Sequence, residues 1–105
     1  MQDRVVIVLD AAVEDLEAGR AFYDSREQNV GRYFWDNLLA DLESLRLYAG
    51  IHPLQYGFHR MLSQRFPYAI YYDMAGESIV RVAAILDMRR DPLWVRKELA
   101  DRPHR

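Results

Sequence analysis

RFPYAIYYDMAGESIVRVAAILDMRRDP (65–92) is the stretch that decides the fold. Within it Tyr68, Ile70 and Tyr72 alternate with Ala69, Tyr71 and Asp73, the two-residue period of a strand with unlike faces. Pro67 has no N–H to offer a ladder and suits the first position of that strand. MAGES (74–78) holds a glycine and reads as a turn; IVRVAAIL (79–86) reads as the next strand. Just upstream, FHRMLSQRF (58–66) also alternates, with Phe58, Arg60, Leu62 and Gln64 on one face and His59, Met61, Ser63 and Arg65 on the other. Three strands joined by short connections make an antiparallel meander, and it closes on two adjacent arginines, an aspartate and a proline.

The first half has a different period. RVVIVL (4–9) is a short β-branched run read as a strand, with Asp10 at an N-cap position and Glu14, Asp15 and Glu17 in the early helical turns. Val13, Leu16, Arg20 and Tyr23 at helical spacing predict a helix over 11–26, with Gly19 its weak spot. QNVG (28–31) is read as a turn. From Arg32, the residues Phe34, Trp35, Leu38, Leu39, Leu42 and Leu45 form a core-facing stripe, which Gly50 and Pro53 terminate. LWVRKELA (93–100) predicts a short, loosely held C-terminal helix. The expected architecture is a single α+β domain over 1–105, ordered β-α-α-β-β-β. It consists of an N-terminal strand, a two-helix antiparallel hairpin, a three-stranded antiparallel meander completing one sheet, and a short C-terminal helix. The sheet face away from the hairpin is the expected site of an exposed functional surface.

Composition narrows the function classes. With 105 residues the chain has room for one core, and half its residues are hydrophobic. It has no cysteine, which removes disulfides, thiolate metal sites and cysteine nucleophiles. MQDRVVIVLD has five consecutive apolar residues before Asp10, too few for a signal peptide or a membrane span, so a cytoplasmic location and no membrane partner are expected. The net charge of −2 is unevenly spread: residues 1–50 hold ten acids and five bases, residues 51–105 six acids and nine bases. Lys97 is the single lysine; every other base is arginine, the side chain suited to forked recognition of oxyanions. A slightly acidic chain is poorly suited to nonspecific nucleic-acid binding, so any basic site is local.

No glycine-rich phosphate loop, HExxH pair, EF-hand loop or GxSxG is present. His52, His59 and His104 are scattered; neither a metal site nor a cofactor is expected, and His59 reads as structural. The Glu14, Asp15 and Glu17 cluster matches the preference of helix N-termini for acids. Tyr68, Tyr71 and Tyr72 read as packing residues before base-stacking ones. The arginines carry more information. Arg60 and Arg81 lie in mid-strand among apolar neighbours, and Arg89 and Arg90 end the last strand beside Asp91. Such groups must reach a partner or water. Two readings stay open: an Arg–Asp clamp holding the C-terminus, or an oxyanion site on the sheet.

With a strand and helical hairpin followed by HRMLSQRFPYAIYYD, IVRVAAIL and RRDPLWVRK, the chain resembles the ParE/RelE superfamily of bacterial toxins, the plasmid-stabilisation proteins, over roughly residues 4–97. The resemblance implies a cytoplasmic toxin neutralised by a cognate antitoxin. RelE-like members cut mRNA on the ribosome with a basic cluster and a C-terminal tyrosine; ParE-like members bind and poison DNA gyrase and are not enzymes. Of the nuclease positions, Arg60 and Arg89 match. The second basic position of the strand falls on Leu62, the arginine after the FPY tyrosine on Ala69, and the C-terminal tyrosine near Val95, with no tyrosine after Tyr72. Asp87 stands where relatives with the RRDP ending often carry histidine. Loss of such groups costs ~10²–10³-fold each in cleavage. The resemblance therefore favours the ParE-like branch, with Arg60, Arg89, Arg90, Asp91 and Trp94 as target-binding residues. The alternatives are a ribosome-dependent mRNA endonuclease using Arg60, Arg81 and Arg89, or a non-toxic relative that binds an antitoxin.

Overall fold

The computed structural model describes residues 3–103, so His104 and the outermost residues of the expected 1–105 domain lie outside the described residues. In chain order the elements are β1 (Val5–Val8), α1 (Asp10–Arg26), α2 (Val30–Tyr48), β2 (Leu54–Gln55), β3 (Phe58–Leu62), β4 (Tyr68–Ala75), β5 (Ile79–Asp87) and α3 (Pro92–Ala100). Among the described residues the strands form one five-stranded sheet in the order β1-β5-β4-β3-β2. β1 runs parallel to β5, as the intervening helical crossover requires, and all other pairs are antiparallel. The α+β class and the strand–hairpin–meander–helix order are those the periodicities predict, with one addition. β2 is a two-residue strand where Pro53 reads as a breaker, and it pairs Leu54 with His59 and Gln55 with Phe58.

Several local expectations change. Asp10 is the first residue of α1; Leu9 stands at the N-cap without a side-chain cap because its partly buried side chain packs beneath the sheet. Gly19 is a contact point: a Cβ there would lie 2.5 Å from Phe34 Cζ, so glycine is what lets α1 and α2 approach. β3 stops at Leu62, short of residue 66, because Tyr68 N–H turns back onto the Phe66 carbonyl and Pro67 has no N–H. In α2, Phe34, Leu38, Leu42 and Leu45 are buried as the stripe predicts, whereas Leu39 is exposed.

Two cores result. α1 and α2 pack Leu16, Phe34, Leu38 and Leu45 against Ile70, Tyr72, Val80 and Val82. On the opposite face Phe58, Ala69, Tyr71, Ala84 and Leu86 are covered by Val95 and Leu99 of α3. That face is therefore not open, and α3 is not loosely held. Tyr68, Tyr71 and Tyr72 are all buried, so they pack and do not present rings for bases.

The device that fastens α3 lies where β1 ends. β5 is bulged between its pairings of Val82 with Tyr72 and Ala84 with Tyr71. Leu9 N–H closes on the Val82 carbonyl, and β1 goes no further. Beyond it, Asp15 accepts the Ile85 N–H at 3.0 Å and Arg102 donates to the Ala83 carbonyl at 3.0 Å. The two side chains pair with each other at 2.6 and 2.9 Å, and Arg102 also reaches Glu98. An ion pair thus completes the edge of β5 that β1 leaves unpaired, which denies that edge to another strand. The early acid Asp15 is a structural ligand for the sheet, a role its helix-dipole reading does not reveal.

Candidate functional site

The four expected arginines do not converge as a set. Arg81 lies opposite Asp73 across the β4–β5 ladder and grips it with two hydrogen bonds of 2.9 and 2.7 Å through Nε and Nη2. By strand spacing its Cα is roughly 12 Å from that of Arg60. Arg89 turns toward the hairpin: Nε and Nη2 bind Asp87 at 3.0 and 2.8 Å, Nη2 also contacts the Tyr23 hydroxyl, and the guanidinium lies 5.6 Å from the Phe22 ring centre. The clamp expected between an arginine and Asp91 is instead an Arg89–Asp87 pair. Asp91 caps α3, its carboxylate accepting the Leu93 N–H at 2.9 Å ahead of Pro92.

Arg60 and Arg90 do come together. They line a recess of about 160 Å³ between the β2–β3 hairpin and the start of α3, with Gln55, Tyr56, Tyr71 and Met88 among its walls. Among the described residues no acidic one lines it. Arg90 stacks at 3.8 Å over Trp94, which holds its guanidinium flat without an ion-pair partner among the described residues. Arg90 and Trp94 also face a second recess of about 300 Å³, bounded by Phe22, Tyr68 and Asp87. Arg90 lines both recesses, Trp94 the second.

Arg60 is the least satisfied group in the site. Its Nη2 lies 3.5 Å from the Met88 sulfur and its guanidinium hydrogen-bonds Tyr71, but its Nε is buried with no hydrogen-bond partner among the described residues. A buried N–H of this kind carries a desolvation cost of ~1–3 kcal/mol until an acceptor arrives. Burial raises the pKa of Tyr71, while the hydrogen bond and charge of Arg60 pull the other way without overcoming it.

Around Arg89 the electrostatics are those of a closed pair. Burial pushes the Asp87 carboxyl up, but the Arg89 side chain and N–H, with the charges of Arg89 and Arg90, hold it below its ordinary value. The same pairing raises Arg89. Tyr68 is pushed up to about 12, chiefly by burial and then by Asp87. None of these phenols is poised to lose a proton at neutral pH.

Tyr56 is the functional candidate that sequence reasoning missed. It and Gly57 link β2 to β3 with φ of 55° and 84°, the paired positive angles of a type I′ hairpin turn. Asparagine or aspartate is usual at the first of these positions; a bulky aromatic there costs ~1–3 kcal/mol of backbone strain. The fold accepts that cost and sets the Tyr56 ring on the wall of the recess, where Arg96 approaches to 5.9 Å. The readable signal is the dipeptide Tyr-Gly between two short runs. Among the described residues no group of three metal-ligating side chains gathers, and no helix is long and apolar enough to cross a membrane.

A parallel first strand, a helical hairpin, a meander with an arginine-lined recess at its end and a capping helix define an α+β domain of ParE-like fold. A solved structure that shares it is described as the chromosomal ParDE TA system from P. aeruginosa. The match has a TM-score of 0.70 and 15% identity, and covers 78% of this chain and 92% of that one. At that identity the likeness is one of fold. No protein-family model and no curated protein matches the sequence.

Proposed function

We propose that the chain is the toxin of a type II toxin–antitoxin pair, that it acts by binding a cellular protein such as DNA gyrase, and that a cognate antitoxin neutralises it in the cytoplasm. The observation that carries this reading is the recess shared by Arg60 and Arg90, a cationic site without an ion-pair partner among the described residues and walled by Tyr56 and Tyr71. Such a site is suited to recognising an oxyanion on a partner. Arg60 and Arg90 form its contact surface, with Trp94 stacked on Arg90 from the neighbouring recess. Arg89 holds Asp87 on the neighbouring recess, and Asp91 holds the helix that carries Trp94. The ParE-like fold and the shared FPY…RRDP pattern support the class.

The mRNA endonuclease reading finds less support. It needs Arg60, Arg81 and Arg89 around one phosphate, yet Arg81 is spent on Asp73 and Arg89 on Asp87. Co-expression with the adjacent small open reading frame should yield a tight complex, and induction alone should arrest growth with gyrase-dependent DNA breaks. Codon-phased mRNA cuts in a translating extract, or no copurifying partner, would overturn the proposal.

A further inference from the structure

We propose that the Arg60–Arg90 recess is a carboxylate socket, which takes one acidic side chain of a protein segment laid along the β2 edge. That the carboxylate belongs to a protein partner rests on the function proposed above; the socket itself does not.

Three observations converge. First, an arginine of this sheet and one just beyond its last strand show what the fold does with the Nε–Nη2 edge of a guanidinium. Arg81 places it on Asp73 and Arg89 on Asp87, each by two hydrogen bonds. Arg60 has no carboxylate: its guanidinium meets the Tyr71 hydroxyl and, through Nη2, the Met88 sulfur, and its Nε is buried with no hydrogen-bond partner among the described residues. A carboxylate that enters the recess and displaces Met88 from that edge supplies two acceptors and completes the pattern. Second, the second cation, Arg90, is already immobilised on Trp94, so little rotamer freedom is lost when an anion binds. Third, the strained Tyr56 lies on the wall, and a tyrosine held there at a backbone cost shields the ion pair from water.

Size and surroundings select the ligand. A volume of about 160 Å³ is below the ~300 Å³ at which sites for drug-sized molecules begin, so the recess holds one small group and not a nucleotide. Large apolar side chains stand exposed along the β2–β3 end of the sheet, Leu54 at 69%, Leu62 at 55% and Ile51 at 73%, and among the described residues β2 ends the sheet with no strand beyond it. An extended segment with apolar side chains and one acid matches both the edge and the charge. A polynucleotide matches neither that surface nor the net charge of −2.

The test is an NMR titration of the ¹⁵N-labelled full chain, read at the arginine Nε–Hε signals, with N-acetyl-glutamate N-methylamide as probe. Its glutamine counterpart and hexauridylate are the comparison arms. The expected result is saturation in the millimolar range with the largest shift at Arg60, and at least a tenfold weaker response to the glutamine probe. Arg60→Met should abolish the shift and Arg60→Lys, which keeps charge but not the fork, should weaken it about tenfold. Tyr56→Asn should relax the turn, raising the unfolding midpoint, while weakening probe binding several-fold. Equal response to the glutamine probe, binding that survives Arg60→Met, or hexauridylate binding tighter at Arg60 would each overturn the socket. If Arg60→Met does not fold, Arg60→Lys carries the test. A socket that binds the probe in a protein that copurifies no partner sinks the toxin reading alone; a partner complex without probe binding sinks only the socket.

Discussion

Replacing Arg102 with methionine removes the donor that closes the free edge of β5 and leaves the Asp15 carboxylate without its countercharge. The side chains of the two residues are 9% and 16% exposed, so the pair is close to fully buried. Breaking one partner of such a pair costs ~3–5 kcal/mol. Residual solvent at Asp15 and its retained bond from Ile85 N–H reduce this, whereas the Ala83 carbonyl loses a donor worth about 1 kcal/mol. The methionine stem keeps part of the packing. A net loss of about 3 kcal/mol follows, which for a domain of this size lowers the unfolding midpoint by roughly 12–20 °C. Urea denaturation followed by circular dichroism measures it, with a double-mutant cycle against Asp15→Asn. The coupling should make the double variant less destabilised than the sum of the singles. A loss below about 1 kcal/mol, or strict additivity, would show that the ion pair does not hold α3 to the sheet.

Gly19→Ala should destabilise by ~1–3 kcal/mol, against the gain of ~1 kcal/mol that helix propensity alone gives, because the new Cβ meets the buried Phe34 ring at 2.5 and 2.7 Å; thermal unfolding decides the sign. Arg81→Met should cost about 1–2 kcal/mol through the lost Asp73 pair yet leave partner affinity unchanged in a pull-down titration. Burial, and then the charge of His59, lower the pKa of His52 below its ordinary value of 6.5, so just below that pH the folded state holds fewer protons than the unfolded one. Its contribution is fully present above about pH 6.5 and fades as pH falls through the lower folded value. Urea midpoints between pH 5 and 8 should show that decline, and His52→Gln should flatten it.

Much of the fold is legible in local pattern. The alternation through Tyr68–Asp73 and 79–86, and the stripe from Phe34 to Leu45, place strands and helices nearly where they lie, because burying one face of a repeating backbone imposes its period on the chain. β2 escapes notice because two residues are too few to show a period, and its pairing depends on the turn at Tyr56 and Gly57. The arginines were identifiable as candidates, but not sorted. Asp73, Asp87 and Asp91 are equally plausible partners in a linear reading, and the cross-strand register alone assigns Asp73 to Arg81.

By itself, then, the order of residues determined the α+β class, the strand–hairpin–meander order and the set of basic groups near the end of the sheet. Those depend on periods and breakers that act within a few residues of one another. Only the tertiary structure decided that α3 covers the second sheet face, that Asp15 and Arg102 close an edge across most of the chain's length, and that Arg60 is the arginine left with a buried, unanswered N–H. These outcomes hang on which distant groups pack together. Charge and hydrogen-bonding capacity can be counted along a chain, but satisfaction is a property of neighbours in space.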